Sequence, residues 1–243
     1  MAVFGFKISY NGRYMKKGNF IVIEGTDGSG KTKQFEKLVS RLCKEGRKVA
    51  KFDFPQYDKP SSYFVREYLN GNYGTAYEVG PKKGSLFYAV DRFDAGFSIR
   101  KAEKAGKICI SNRYIGSNMG HQGGKISTKK RRKEYFKWLN ELEFGILGIP
   151  KPDLNIILHV PAEIAQKLVD NKSANMRRYA NGKKRDIHEA DIKHLKHAEI
   201  VYLEIAKLFP KNFIVVECVE KGRLLSIDEI HEKIWKIVKK VIS

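Results

Sequence analysis

Apolar positions along this chain follow two rhythms, short β-rich runs and longer stretches with helical spacing. Phe20–Glu24, Lys48–Asp53, Lys107–Ser111, Leu154–Val160 and Asn212–Glu217 predict strands. Several are apolar almost without a break, as strands covered on both faces are. Helical segments are expected near Lys33–Glu45, Ser62–Leu69, Lys82–Ala105, Thr128–Gly145, Ala162–Val169, Ile187–Phe209 and Ser226–Val241. Within Ile187–Phe209, the spacing of Ile192, Leu195, Ile200, Leu203 and Leu208 predicts one buried face. Strands alternating with helices specify an α/β fold with a parallel sheet. Two segments interrupt the alternation. Gly116–Lys133 is polar, glycine-bearing and basic towards its end, and Asp170–Arg185 carries Lys172, Arg177, Arg178, Lys183, Lys184 and Arg185 against a single acid.

A chain of 243 residues fits one domain, or one with a mobile insertion. Cys43, Cys109 and Cys218 lie in separate segments without C-x-x-C spacing, so buried reduced thiols are expected, suiting a cytoplasmic location. No run approaches the roughly 18 apolar residues of a membrane span, which argues against a membrane partner. Residues 1–17, with four cations and no acids, read as an extension without an assigned role, ahead of a domain over 18–243. The balance of 47 cations against 27 acids gives +20, a field that attracts polyanions in general. Lys129-Lys130-Arg131-Arg132-Lys133 has no interleaved aromatics to stack bases and reads as a solvated helix start, which argues against nucleic acid as the partner.

The sharpest local signal is Gly25-Thr26-Asp27-Gly28-Ser29-Gly30-Lys31-Thr32, which meets the Gly-x-x-x-x-Gly-Lys-[Ser/Thr] pattern. An apolar strand precedes it and a helical stretch follows, the context a phosphate-binding loop needs. Gly25, Gly28, Ser29 and Gly30 wrap backbone N–H groups around phosphate oxygens, aided by the positive end of the helix. Lys31 is expected to bridge the β- and γ-phosphates of ATP or GTP, and the Thr32 hydroxyl to ligate Mg²⁺.

Downstream lie Phe54-Pro55, then Leu86-Phe87-Tyr88-Ala89-Val90-Asp91-Arg92-Phe93, then Asn112-Arg113-Tyr114 followed by Ser117 and His121-Gln122-Gly123. Lys151-Pro152-Asp153-Leu154 and the basic stretch through Arg185 complete the set. In this order and spacing the chain, from about Phe20 onward, resembles the thymidylate kinase family. The resemblance implies a P-loop kinase fold with a five-stranded parallel sheet, helices on both faces and a basic lid over about 170–186. It implies transfer of the γ-phosphoryl of ATP to dTMP with Mg²⁺, and a homodimer formed through helices beside the sheet. Carried over by residue, it places Asp27 at the deoxyribose 3′-hydroxyl, Tyr88 stacked on the base, Arg92 at a base carbonyl and Arg113 near the acceptor phosphate. Ser117 and Gln122 fall on the residues that hold the pyrimidine edge, and Phe54 and Pro55 on the wall of the same site.

The chain departs from the family pattern at four positions. Asn112 stands where the motif has Asp, and Asp53 stands where an arginine commonly contacts the acceptor phosphate, a contact that Lys51 or Arg66 would have to replace. His121 occupies the place of an aromatic that screens against a 2′-hydroxyl. Position 28 is glycine, where some members carry a loop arginine; members lacking that arginine instead bring lid arginines over the transferring phosphoryl, here Arg177, Arg178 and Arg185. Three alternatives follow: a kinase for dUMP, dCMP or a ribonucleotide, a nucleic-acid-binding P-loop ATPase, and a degenerate kinase slowed by Asn112 and Asp53.

Overall fold

A computed structural model describes residues 17–170 and 192–243. Five parallel strands, β1 (Phe20–Glu24), β2 (Val49–Asp53), β3 (Ile108–Asn112), β4 (Leu154–His159) and β5 (Phe213–Glu217), form one sheet in the order β2-β3-β1-β4-β5. The sheet positions its central strand between β3 and β4: Ile21 pairs with Ile110 on one side and Leu154 on the other.

Alternate side chains of these strands feed two cores, as the two-residue period of a strand requires. Ile21, Ile23, Ile108, Ile110, Leu154, Ile156 and Leu158 pack against α1 (Lys31–Lys44), α6 (Ala162–Asp170) and α8 (Ile227–Ile242). Phe20, Val22, Cys109 and Ile157 face the other way, onto α3 (Ala76–Lys104), α4 (Ile115–Gly123), α5 (Lys129–Asn140) and α7 (Ile192–Leu208). Each fully sequestered aliphatic such as Leu38, Leu42 or Ile234 contributes about 1.5–3 kcal/mol. A satellite cluster joins Val65, Tyr68 and Leu69 of α2 (Tyr63–Leu69) to Val79, with Phe87 and Tyr88 against it. A two-stranded ribbon, β6 (Val219–Glu220) and β7 (Arg223–Leu224), precedes α8, whose entry is fixed by a reciprocal Ser226–Glu229 capping box.

The strands and most helices stand within a few residues of expectation. Three expectations are corrected and two helix boundaries are extended. The interruption over Gly116–Lys133 is largely helical: α4 is buried along almost its whole length. Its glycines reflect packing rather than a loop, since a Cβ at Gly120 would stand 2.5 Å from the Tyr202 ring of α7. In α7 the buried face consists of His194, Leu195, Ala198, Val201, Tyr202 and Ile205, whereas Ile192 and Ile200 are exposed. Two turns of apolar spacing had matched the helical period in the wrong phase. Cys43 is exposed on α1, unlike Cys109 and Cys218. Finally, the segment after α5 runs on as a π-helical stretch, Glu141–Ile146, which delivers Glu143 into the interior. The long helix predicted from Lys82 continues upstream across a break at Gly80 and Pro81 to a turn capped by Thr75 and Glu78.

Candidate active site

The carboxyl ends of the parallel strands open onto two cavities, where open α/β sheets bind their ligands. The first is a cleft of about 1700 Å³ around the loop that joins β1 to α1. Gly28 adopts φ +84°, and a Cβ there would meet the Ala165 carbonyl at 2.1 Å, so the loop closes only without a side chain. α1 starts after Gly30 with no side-chain cap, leaving its first amides open to the cleft. Lys31, although buried, donates to the Thr26 carbonyl at 2.6 Å and lies 3.9 Å from Asp27. Thr32 follows it, exposed in the first turn.

Two buried oxygens of residues lining this cleft, Ser29 Oγ and Asn112 Oδ1, have no partner among the described residues, nor does Thr26 Oγ1 in the same loop. Each such group costs about 1–3 kcal/mol unless a ligand or water satisfies it. An amide-lined loop, a lysine, two hydroxyls and a free carbonyl oxygen form a donor set that fits a nucleoside triphosphate with its Mg²⁺.

The second cavity spans about 540 Å³ with its open mouth included and is lined by Phe54, Pro55, Tyr88, Arg92, Ser117, His121 and Gln122, together with Asn118, Tyr57 and Tyr114. Asp27 and Arg113 line both cavities. Arg113 has φ 65°, a left-handed conformation at a non-glycine residue, of the kind found where surrounding structure holds a functional side chain in place. Its guanidinium pairs with Asp27 and donates to Ser117 Oγ at 3.3 Å, with His121 Nε2 at 3.4 Å. Burial works against its charge, but Asp27 and the neighbouring oxygens outweigh it and hold the arginine cationic.

Glu24, at the end of β1, organises this junction from below. It accepts from the Tyr114 amide at 2.9 Å and from Ser117 Oγ at 2.7 Å, anchoring the start of α4. Burial raises its pKa, partly offset by the Ser117 hydrogen bond and by Arg113 and Lys31. The Ser117 hydroxyl is thereby committed to Glu24 rather than turned to the cavity. His121 lies 3.3 Å from His194 ring to ring, and burial, with Arg113 beside it, keeps it neutral well below the ordinary histidine range.

Arg92 is fully buried and forks onto Glu143 through Nε (2.7 Å) and Nη2 (2.6 Å). The neighbouring Asp91 instead fixes the loop after Pro55, accepting from the Gln56 amide at 2.8 Å and Ser61 Oγ at 2.6 Å. A cis bond joins Phe54 to Pro55 at the start of that loop. Asp53 receives Asn112 Nδ2 at 2.8 Å. Neither Lys51 nor Arg66 lines the cavity; Arg66 holds the loop carbonyls of Tyr57 and Lys59 and the Ser62 hydroxyl. Arg177, Arg178 and Arg185 lie outside the described residues. Within the basic cluster, Arg132 is buried against Glu204 at 2.7 Å, so that cation serves the core.

Sequence reasoning missed Glu24, Glu143 and Asn118. The two acids sit in ordinary strand and helix patterns, and nothing local marks them. Asn118 stands one residue from Ser117, and a polar residue on the face of α4 that Gln122 also occupies was the available signal.

The thymidylate kinase family model matches residues 23–234. A thymidylate kinase of Mycobacterium tuberculosis is 32% identical over 187 residues, 76% of this chain and 85% of that protein. A probable thymidylate kinase of Pyrococcus abyssi is 27% identical over 92% of this chain and 97% of its own length. A solved thymidylate kinase structure from Candida albicans superposes with a TM-score of 0.71 over 92% of both chains at 22% identity, a likeness of fold. This chain belongs to the thymidylate kinase family.

Proposed function

We propose that this chain phosphorylates dTMP to dTDP at the expense of ATP. The observation that carries the reading is the meeting of two cavities at Asp27 and Arg113, one built on a phosphate loop and the other faced by an aromatic ring and fixed polar groups. Such a junction brings a donor phosphate and an acceptor phosphate into line, and positioning supplies most of the catalysis in phosphoryl transfer.

The amides of the Gly25–Lys31 loop and Lys31 bind the donor phosphates, with Lys31 exchanging the Thr26 carbonyl for phosphate oxygens. Thr32 and the Asn112 oxygen are the groups that would hold Mg²⁺, which supplies charge neutralisation when bound. Arg113 faces the acceptor phosphate, and Asp27 orients it while presenting a carboxylate to the sugar 3′-hydroxyl. Tyr88 stacks on the base, worth about 1–3 kcal/mol. Arg92, Asn118 and Gln122 face its edge, and Ser117 braces Arg113 instead of reading the base. His121, neutral and packed on His194, occupies the sugar side and disfavours a 2′-hydroxyl. Arg177, Arg178 and Arg185 remain the candidates for covering the transferring phosphoryl.

Leu86, Val90, Phe93 and Phe97 form an exposed apolar seam along α3; this supports a homodimer. Among the described residues no helix is long and apolar enough to cross a membrane.

A coupled assay for ADP with dTMP, dUMP, dCMP and UMP tests the reading. Turnover is expected to be highest with dTMP and lowest with UMP, and a Lys31→Ala variant is expected to lose about 10²–10³ in kcat. Absence of diphosphate from every acceptor overturns the assignment.

A further inference from the structure

A carboxamide can show a base either its oxygen or its NH₂, so Asn118 and Gln122 carry selectivity only if something fixes which end faces the cavity. A buried side chain and a half-buried one fix both. Glu143, with no exposed surface, takes the Arg92 fork and lies 3.3 Å from Asn118 Nδ2, which also donates to the Ser85 carbonyl at 3.2 Å. Both partners are acceptors, so the nitrogen of Asn118 turns inward and its Oδ1 is left for the cavity.

Gln122 lies one turn further along α4 and is 1% exposed. Its Oε1 accepts from Lys125 Nζ at 2.7 Å, and the same amine reaches the Tyr68 hydroxyl at 2.5 Å and the Ala76 carbonyl at 3.0 Å. An ammonium only donates, so the oxygen of Gln122 is turned to Lys125 and its Nε2 is presented to the cavity that Gln122 lines. Burial pushes the Lys125 amine down to about 7. The lock survives loss of the proton: a neutral amine keeps two N–H donors, for Ala76 and Gln122, while Tyr68 turns its hydroxyl to donate.

The geometry points to Lys125 as a specificity-determining positioning residue that, with Glu143, sets the wall of the base site to donor, acceptor, donor through Arg92, Asn118 and Gln122. This rests on the reading of the cavity as the site of a pyrimidine monophosphate. The complement of such a wall is an imide edge, C=O, N–H, C=O, as in thymine and uracil. On cytosine the amine and the bare N3 meet like groups, and a site built to hydrogen-bond rejects a mismatched partner far more strongly than an apolar pocket does.

The test measures kcat/KM for dTMP and dCMP with wild type, Lys125→Met, Lys125→Gln and Lys125→Arg, with a thermal melt of each. Methionine removes a buried amine that lacks a carboxylate partner in its hydrogen-bond set, so folding is expected to survive, and glutamine provides a second route that keeps a polar group. Met and Gln at 125 free the Gln122 amide to flip, and the preference for dTMP over dCMP is expected to fall by at least about tenfold. Arginine, also donor-only, is expected to restore it. A wild-type preference retained by both Met and Gln variants overturns the inference while leaving the kinase assignment standing. A wild-type enzyme inactive on both nucleotides removes the parent reading and this one with it.

Discussion

Asn112 Nδ2 donates to Asp53 Oδ1 at 2.8 Å, between two residues that are register partners at the ends of β3 and β2. The two departures from the family pattern at these positions are therefore one feature. A carboxylate expected on β3 stands on the adjacent strand, and an amide bridges to it, leaving one negative charge rather than two.

From this pairing, Asn112→Asp is expected to slow the enzyme rather than improve it, since two carboxylates at hydrogen-bond distance cannot both ionise at low cost. Exchanging both residues, Asp53→Asn with Asn112→Asp, returns a single charge and is expected to recover activity. Steady-state rates of the two single variants and the double variant should give a coupling of about 0.5–3 kcal/mol. A faster Asn112→Asp enzyme would show that the missing acid, not the pair, limits turnover.

Tyr88 lines the second cavity while packing on the α2 cluster. Tyr88→Leu keeps an apolar side chain in the cluster but removes the flat ring, so KM for dTMP is expected to rise by about 5- to 150-fold, matching about 1–3 kcal/mol of stacking. KM for ATP should stay within about twofold of wild type by the same arithmetic. Equal losses for both nucleotides would instead mark a folding defect.

Leu86, Val90, Phe93 and Phe97 are spaced by four, three and four residues, a seam that faces away from the site residues of the same helix. Val90→Asp places a charge at its centre and is expected to convert a dimer to the 27.9 kDa monomer in light scattering. Monomeric wild type at the same concentration would dismiss the seam as an interface.

His159 ties three elements together, donating through Nδ1 to Glu217 at 2.6 Å and through Nε2 to Glu199 at 2.9 Å. Burial lowers its pKa, but the two carboxylates outweigh this and hold it above the ordinary value. A raised value means the folded state binds the proton more tightly. The resulting stability is full below the ordinary histidine range and fades as pH climbs through the folded value. After solvent screening the effect is at most about 1 kcal/mol, or about 2–4 °C in Tm. The gap in Tm between wild type and His159→Gln is thus expected to be wider near about pH 5 than near about pH 8. A gap that widens with rising pH would contradict the ion-pair assignment.

The linear order of residues determined the sheet and the phosphate loop, because both are written in local periods. Strand runs carry their two-residue alternation, and Gly25–Thr32 packs its whole chemistry into eight consecutive positions. The resemblance carried by Tyr88, Arg92, Arg113 and Gln122 also pointed to side chains from distant segments that line one cavity. Tertiary structure alone decided how those side chains are oriented. Glu143 reaches Arg92 across 51 positions, Glu24 reaches Ser117 across 93, and Asp53 meets Asn112 across 59. Hydrogen-bond partners at such separations leave no periodic trace, since only the fold brings them within 3 Å. Lys125 shows the same limit at short range: three residues from Gln122, it is an unremarkable cation until helix packing buries it and leaves Gln122 Oε1 as an acceptor in reach.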